Sequence, residues 1–346
     1  HVEHEERKLL AFTDSVQDAS HRASFFAGRT HRVNLRVIMS QAIQDNESLT
    51  LADLGDELHM RAESPHERYG VVPPDLLKHP TVRTVWSERP DGGGLEVLHE
   101  RLRFEADLEF GLRTRVGRTL ELSNVAAAHV PLSDETLDLI SEDVTNLLGD
   151  VPEQVAANVE TWARGMVERL RLKGAIGSEL LDPYAESGGE QWHVWGGRPD
   201  GLPPFVPGIG RPTFATLAPR GDFDSLTAAS KTPTWFVDWA MRTLGVDMHV
   251  ARDLNQRLLP LLANGTDIVR SWTSPNGKVF GLDRNAIEIV DVVDLEAKIA
   301  KLGREGVDVK LDLRKRRIVW EVGPINEQDF VVVRGFLVVL DVRIIG

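Results

Sequence analysis

"PTWFVDWAMRTLGVDMHVARDLNQRLLPLLANGTDIVRSWTSPNGKVFGL", Pro233 to Leu282, is the stretch on which the fold turns. Pro233–Leu244 and Arg252–Leu262 read as two helices joined by a short link. "DIVRSWTSPNGKVFGL" then reads as a β-hairpin, with Asn276-Gly277 as the turn, because that dipeptide tolerates the positive φ of a tight hairpin loop.

Helix, short link, helix and hairpin in that order is the pattern of a winged helix. The hairpin carries Arg270 before its turn and Lys278 just after it. A wing of this kind touches a DNA groove or backbone in some proteins, and packs against protein in others. Both readings stay open for Arg270 and Lys278 at this level.

Upstream, Pro152 opens an amphipathic helix in which Val155, Val159, Trp162, Met166 and Leu170 form one stripe. Arg169, Arg171 and Lys173 close it and Gly174 stops it, as the helix dipole and the usual C-terminal signal require. Trp162, Trp235 and Trp239 sit at helical spacings and read as core. Residues 187–220 form a Gly/Pro-rich loop whose Trp192 and Trp195 are expected to pack rather than to stack on bases.

Earlier still, helices are expected at Leu51–Met60, at Leu95 to about Gly117 after the breaker "ERPDGGG", and at Ser133–Leu148 with Ser133 as cap. Arg101, Arg103, Arg113, Arg115 and Arg118 alternate with Glu100, Glu105, Asp107 and Glu109. That interleaving predicts a solvated, ion-paired face ahead of a basic ridge for phosphates. Beyond Val307 the pattern alternates as strands do, and "RKRR", Arg314 to Arg317, reads as a charged edge that blocks aggregation.

The chain has 346 residues and a net charge of -13, which argues against a surface that coats nucleic acid, though a local basic groove remains compatible with it. Arginine outnumbers lysine, which suits planar contacts to phosphate, but a GC-rich coding sequence produces the same bias. Cysteine is absent, so thiolate metal sites and disulfides are excluded within it. The histidines show no metal-ligand spacing, so no metal site and no catalytic residue is assigned. No apolar run is long enough to span a bilayer and the opening residues lack a signal peptide, so no membrane partner and a cytoplasmic location are expected. The start at His1 rather than Met suggests a processed or engineered product, or an excerpt of something longer.

Near the start, "KLLAFT" reads as a buried strand that runs into a long helix from about Val16 to Asn46. Val16, Ala19, Ala23, Phe26, Val33 and Val37 give that helix its apolar steps, and Gly28 marks a kink or a break. Ser15 can accept the free N–H groups of the first turn, with Asp18 as the partner of a capping-box-like pair. Such a helix start is also a natural seat for phosphate.

"LLAFTDSVQDASHRASFF", Leu9 to Phe26, resembles the start of the second RecA-like lobe of superfamily 2 DEAD/DEAH-box helicases, in a bacterial group. Phe12, Thr13, Asp14, Ser15, Gln17, Asp18 and Ala19 match the fourth helicase motif of that group, "F-[ST]-D-S-x-Q-D-A". The resemblance implies that Thr13, Ser15 and Gln17 contact a nucleic-acid backbone, with His21 and Arg22 beside them. "EFGLRTRVGRTLE", "WARGMVERLRLKGAI" and "WHVWGGRPDGLPPF" resemble segments of the same group at lower specificity. No G-x-x-x-x-G-K-[ST] loop, no acidic D-E-A-D box and no Q-x-x-G-R-x-x-R element occurs, so this chain alone is not expected to hydrolyse ATP. ATP and magnesium belong, by the resemblance, to a parent protein.

The expectation is therefore a mixed α/β chain, predominantly α. Residues 1–48 would start a RecA-like lobe, followed by a helical insertion at 49–150 and a helical or winged-helix-like unit with a Gly/Pro-rich loop at 151–230. A second winged-helix-like unit would occupy 231–294, and a β-rich tail 295–346. Expected partners are nucleic acid, DNA in preference, and the rest of the helicase lobe. The alternatives are a helical protein-interaction module and a winged-helix DNA-binding protein that is no helicase.

Overall fold

The computed structural model describes residues 16–46, 49–73, 76, 82, 84–85, 87–111, 119–121, 125–178, 212–217, 224–227, 233–274, 277–291, 309–312, 317–320, 330–333 and 336–339. The strand expected at Lys8–Thr13 lies outside them, as do the side chains of residues 16–30.

Described helices are α1 (Val16–Asp45), α2 (Leu51–Met60), α3 (Pro65–Val71), α4 (Gly92–Phe110), α5 (Asp134–Leu148), α6 (Glu153–Leu172), α7 (Trp235–Leu244) and α8 (Met248–Gly265). Strands are β1 (Leu49–Thr50), β2 (Ala126–His129), β3 (Ile176–Gly177), β4 (Ala215–Thr216), β5 (Asp224–Ser225), β6 (Val269–Ser274), β7 (Gly277–Asp283) and β8 (Glu288–Asp291). Further along, β9 (Val309–Asp312) pairs antiparallel with β10 (Arg317–Trp320), and β11 (Phe330–Val333) with β12 (Phe336–Val339). The chain is mixed α/β and predominantly helical. No described helix is long and apolar enough to cross a membrane.

The local signals act where they stand. Ser133 caps α5 by accepting the Thr136 N–H at 3.2 Å, and Thr50 and Ser64 each close a full capping box on the helix that follows. The stripe on α6 is buried from Val155 to Leu170, with Trp162 1% exposed. The Trp162 indole N–H donates to Asn255 on α8 at 3.2 Å, and the Asn255 amide donates on to the Leu226 carbonyl at 3.3 Å. Trp239 donates to the Trp162 carbonyl at 3.1 Å and stacks on Trp235, both half-buried at the rim. A single hydrophobic core runs from Leu35 to Ile289, across the boundaries expected at 150 and 230.

Two small sheets complete the frame. In one, β8 lies between β1 and β2, with Ile289 opposite Leu49 on one side and Ala128 on the other. The second is built on the hairpin. β6 pairs along one edge of β7, and the other edge takes β3 in parallel and β4 antiparallel, with β5 beyond β4. Gly277 closes the hairpin at φ +109, a conformation that a side chain would strain.

Four expectations need correction. α1 is continuous through Gly28, with no break. Its buried face holds Leu35, Met39, Ala42 and Ile43, while Val33 and Val37 are 58% and 50% exposed. Helical steps gave α1 two apolar stripes, and packing chose the one that faces α2, α3 and β8. α4 starts inside the glycine run, at Gly92 with Asp91 as N-cap, and ends at Phe110, well short of Gly117.

The fourth concerns charge. Arg101, Glu105, Asp107 and Glu109 are not solvated: each is 4% exposed or less. The end of α4 from Phe104 to Phe110 is buried on every side, so each carboxylate needs its own cation there. Arg101 bonds Glu105 at 3.0 Å, Arg284 bonds Asp107 at 2.8 Å and Arg36 bonds Glu109 at 2.8 Å. Two of these cations come from distant parts of the chain, which the local interleaving could not reveal.

Candidate nucleic-acid interface

The hairpin places its two cations on opposite faces. Arg270 stands across from Gly281 and Lys278 across from Thr273. Side chains alternate along a strand, so Arg270 shares a face with Trp272 and Val279, and Lys278 with Ser271 and Phe280. Lys278 is exposed near the turn, its ammonium 5.5 Å from the Phe280 ring centroid. Arg270 sits at the other end, half exposed. The two expected wing contacts are therefore not brought together.

Arg270 instead meets residues from other elements. It lines a cleft of about 140 Å³ with Arg103 of α4 and Arg284, which follows β7. Ser178, just after β3, and Asn285 add a hydroxyl and an amide. Glu100 and Asp283 line it as well, as balancing carboxylates.

The floor of this cleft is a buried ion pair. Asp107 is fully enclosed and accepts from Arg284 Nε at 2.8 Å and from the Ser178 hydroxyl at 3.2 Å. Burial pushes the Asp107 carboxyl up, and the Arg284 guanidinium pulls it back down. Arg284 also reaches the Leu51 carbonyl at 3.4 Å, tying the start of α2 to α4 and to the end of the hairpin. Asp283 is occupied by the Asn285 backbone and side-chain amides, at 2.8 and 3.0 Å, and lies 3.9 Å from Arg270.

Arg103 enters the cleft over Gly55. A Cβ at residue 55 would lie 2.5 Å from Arg103 Cγ and 2.8 Å from its Cα, so only glycine lets α2 and α4 approach this closely. Among the described residues, Arg103 Nε is buried with no hydrogen-bond partner, and it lies 3.9 Å from an Asp56 carboxylate oxygen. Arg101 and Arg103 are two positions apart, about 200° around the helix, so they cannot form one ridge. One anchors the interior and the other faces the cleft.

Comparison with protein-family models, curated proteins and solved structures returns no match for this chain.

Of the other expected contacts, Gln17, His21 and Arg22 lie on the backbone of α1, with Gln17 and His21 one turn apart. Thr13 and Ser15 fall outside the described residues. Among the described residues no three His, Asp or Glu side chains gather where a metal ion could sit. The cleft is also small for a nucleotide, since sites that enclose whole small molecules run to roughly 300–1,000 Å³. The described residues of this cleft do not fit an ATP–magnesium site. Arg103 was legible only as part of a charged helix face; Arg284, Ser178 and Asn285 carried no local signal and are assembled by the fold.

Beside the cleft, His99 bonds Asp56 at 2.7 Å and stacks on His59 with ring centroids 4.6 Å apart. Burial, and then the charge of His99, holds His59 below the ordinary histidine value of 6.5. A histidine depressed in the folded chain takes up its proton more readily when unfolded, so stability falls as pH drops below 6.5. Urea unfolding of wild type and His59→Gln at pH 7.5 and 5.5 checks this: the acid loss is expected to be smaller in the variant.

Proposed function

We propose that this chain is the part of a superfamily 2 DEAD/DEAH-box helicase-like protein that contacts and guides a nucleic-acid strand, DNA in the first instance. ATP hydrolysis would be supplied by parts outside the chain. The observation that carries the reading is the order α6, β3, α7, α8 and the β6–β7 hairpin, apart from β4 and β5, which lie between β3 and α7, with β3 paired to the hairpin's far edge. That order is the one winged-helix units use, and here the hairpin has a cation near each end.

The helicase part of the reading rests on Thr13, Ser15 and Gln17, at the entry to α1. An arginine-bearing face fits a groove that holds a strand by its phosphates while bases go unread. The Arg270 face, next to the cleft, would be the working side, and Lys278 a peripheral contact. Substituting Ser15 and Gln17 by Ala in the parent protein is expected to weaken DNA-stimulated ATPase without loss of folding. An unchanged rate would remove the helicase assignment of that corner.

A second reading, a protein-interaction module, is favoured by Val33 and Val37, which leave an apolar stripe exposed on α1. Under that reading Val33→Asp/Val37→Asp abolishes association with a partner and leaves DNA binding untouched. Neither substitution is expected to shift stability by more than about 0.5 kcal/mol, because neither side chain is in the core.

A further inference from the structure

We infer that the cleft between Arg103, Arg270 and Arg284 is a seat for a single phosphate group. The three guanidiniums come from α4, β6 and the turn after β7, and each is held by a different device. Arg284 is locked on buried Asp107, the stem of Arg103 lies on Gly55, and Arg270 Nη1 leans on the Gly177 carbonyl at 3.4 Å. Their positions are therefore set before any ligand arrives, which lowers the ordering cost of binding.

The division of labour favours an anion. Arg284 spends its charge on Asp107, and Asp283, 3.9 Å from Arg270, takes its hydrogen bonds from Asn285, so Arg103 and Arg270 keep N–H donors to offer an anion. Arg103 Nε is already out of water and has no hydrogen-bond partner among the described residues. An oxyanion at this point would satisfy it. Phosphate presents several acceptor oxygens and matches the planar fork of arginine, and the Asn285 amide adds a neutral donor within the same wall.

Size sharpens the class. About 140 Å³ holds one tetrahedral oxyanion with a little water, and leaves no room for a base or a second ring. The ligand is thus a phosphate group, free or carried by a larger molecule whose remainder stays outside. That this group belongs to a DNA strand rests on the reading in the previous subsection; the seat itself does not.

Two probes separate these. Calorimetric titration of the full chain with inorganic phosphate, against acetate at matched ionic strength, tests the seat. Titration with oligothymidylate, with and without a 5′-phosphate, tests the source. Wild type is expected to bind phosphate at least tenfold more tightly than acetate. Arg103→Gln/Arg270→Gln should lose at least tenfold in phosphate affinity at an unchanged melting temperature, and Lys278→Gln should lose none. Arg103→Lys, which keeps the charge but not the fork, should fall between. Equal binding of phosphate by wild type and the double variant, or equal binding of acetate, overturns the seat.

If phosphate binding is lost in the double variant while oligonucleotide affinity is retained, the seat stands and the strand is not its source. A gain from the 5′-phosphate assigns the seat to strand ends, and no gain assigns it to internal phosphodiesters.

Discussion

Replacing Arg171 by methionine is expected to lower the unfolding free energy by about 3–5 kcal/mol. Arg171 is 1% exposed and uses its whole fork. It donates to Glu121 at 2.9 and 3.0 Å, to Glu168 at 2.6 and 2.9 Å, and to the Phe110 carbonyl at 2.6 Å. These bonds pin the end of α4 and the segment at Glu121 onto α6. Methionine would fill much of the space but leave two carboxylates facing each other in low dielectric. Removal of one partner, rather than of the pair, is what makes a buried ion pair costly.

The pH dependence follows from Glu121. Burial already pushes its carboxyl above the ordinary value of 4.5, with Arg171 pulling it down. Without Arg171 the folded form holds its proton to still higher pH, so the deficit is full above that raised value and shrinks as pH falls through it. Urea unfolding at pH 7.5 and 4.5 should therefore show the larger loss at pH 7.5. Arg171→Met/Glu121→Gln should recover part of it, since Glu168 is 15% exposed and can turn to water. A loss below about 1 kcal/mol in the single variant would mean the network carries little.

Trp162→Ala is expected to cost about 3–5 kcal/mol, the range for emptying a large aromatic site in a core. The indole packs where α6, α7 and α8 meet, and its N–H is the partner of Asn255, which is fully buried. Alanine leaves both a cavity and an unpaired amide oxygen. Trp162→Phe separates the two, because it keeps most of the ring volume and loses the hydrogen bond. Its loss should be clearly smaller, on the order of 1–3 kcal/mol, read from the same unfolding curves. Equal losses for Ala and Phe would place the whole effect in the hydrogen bond.

These two residues also mark how far the sequence could be read. Trp162 was legible because α6 has one unbroken stripe and a sharp start and stop, all local signals. The two strands of the hairpin were legible for the same reason, through their local pattern, although Gly277, expected in the turn, is already paired with Ser274 as the first residue of β7. Arg171 looked like one of several cations suited to the end of a helix, yet two of its three partners, Glu121 and the Phe110 carbonyl, lie on segments far away in sequence. The fate of α4 was hidden in the same way, since interleaved charges describe a solvated face and a buried, individually paired one equally well. In α1 two apolar stripes competed, and only the neighbours that pack on it decide between them. The cleft is the extreme case: Arg103, Arg270 and Arg284 become neighbours through sheet pairing and the close approach of α2 and α4, and no spacing records that.

The most direct test of the account is the binding of single-stranded and duplex DNA to this chain, followed by fluorescence anisotropy from 20 to 200 mM salt. If the Arg103–Arg270 seat takes one phosphate and Lys278 a second, log affinity should fall with log salt at a slope of about -1.4 on single strands. Arg103→Gln/Arg270→Gln and Lys278→Gln should each flatten that slope by about 0.7. Absence of binding to either DNA at 20 mM salt, with the chain folded, would contradict the account.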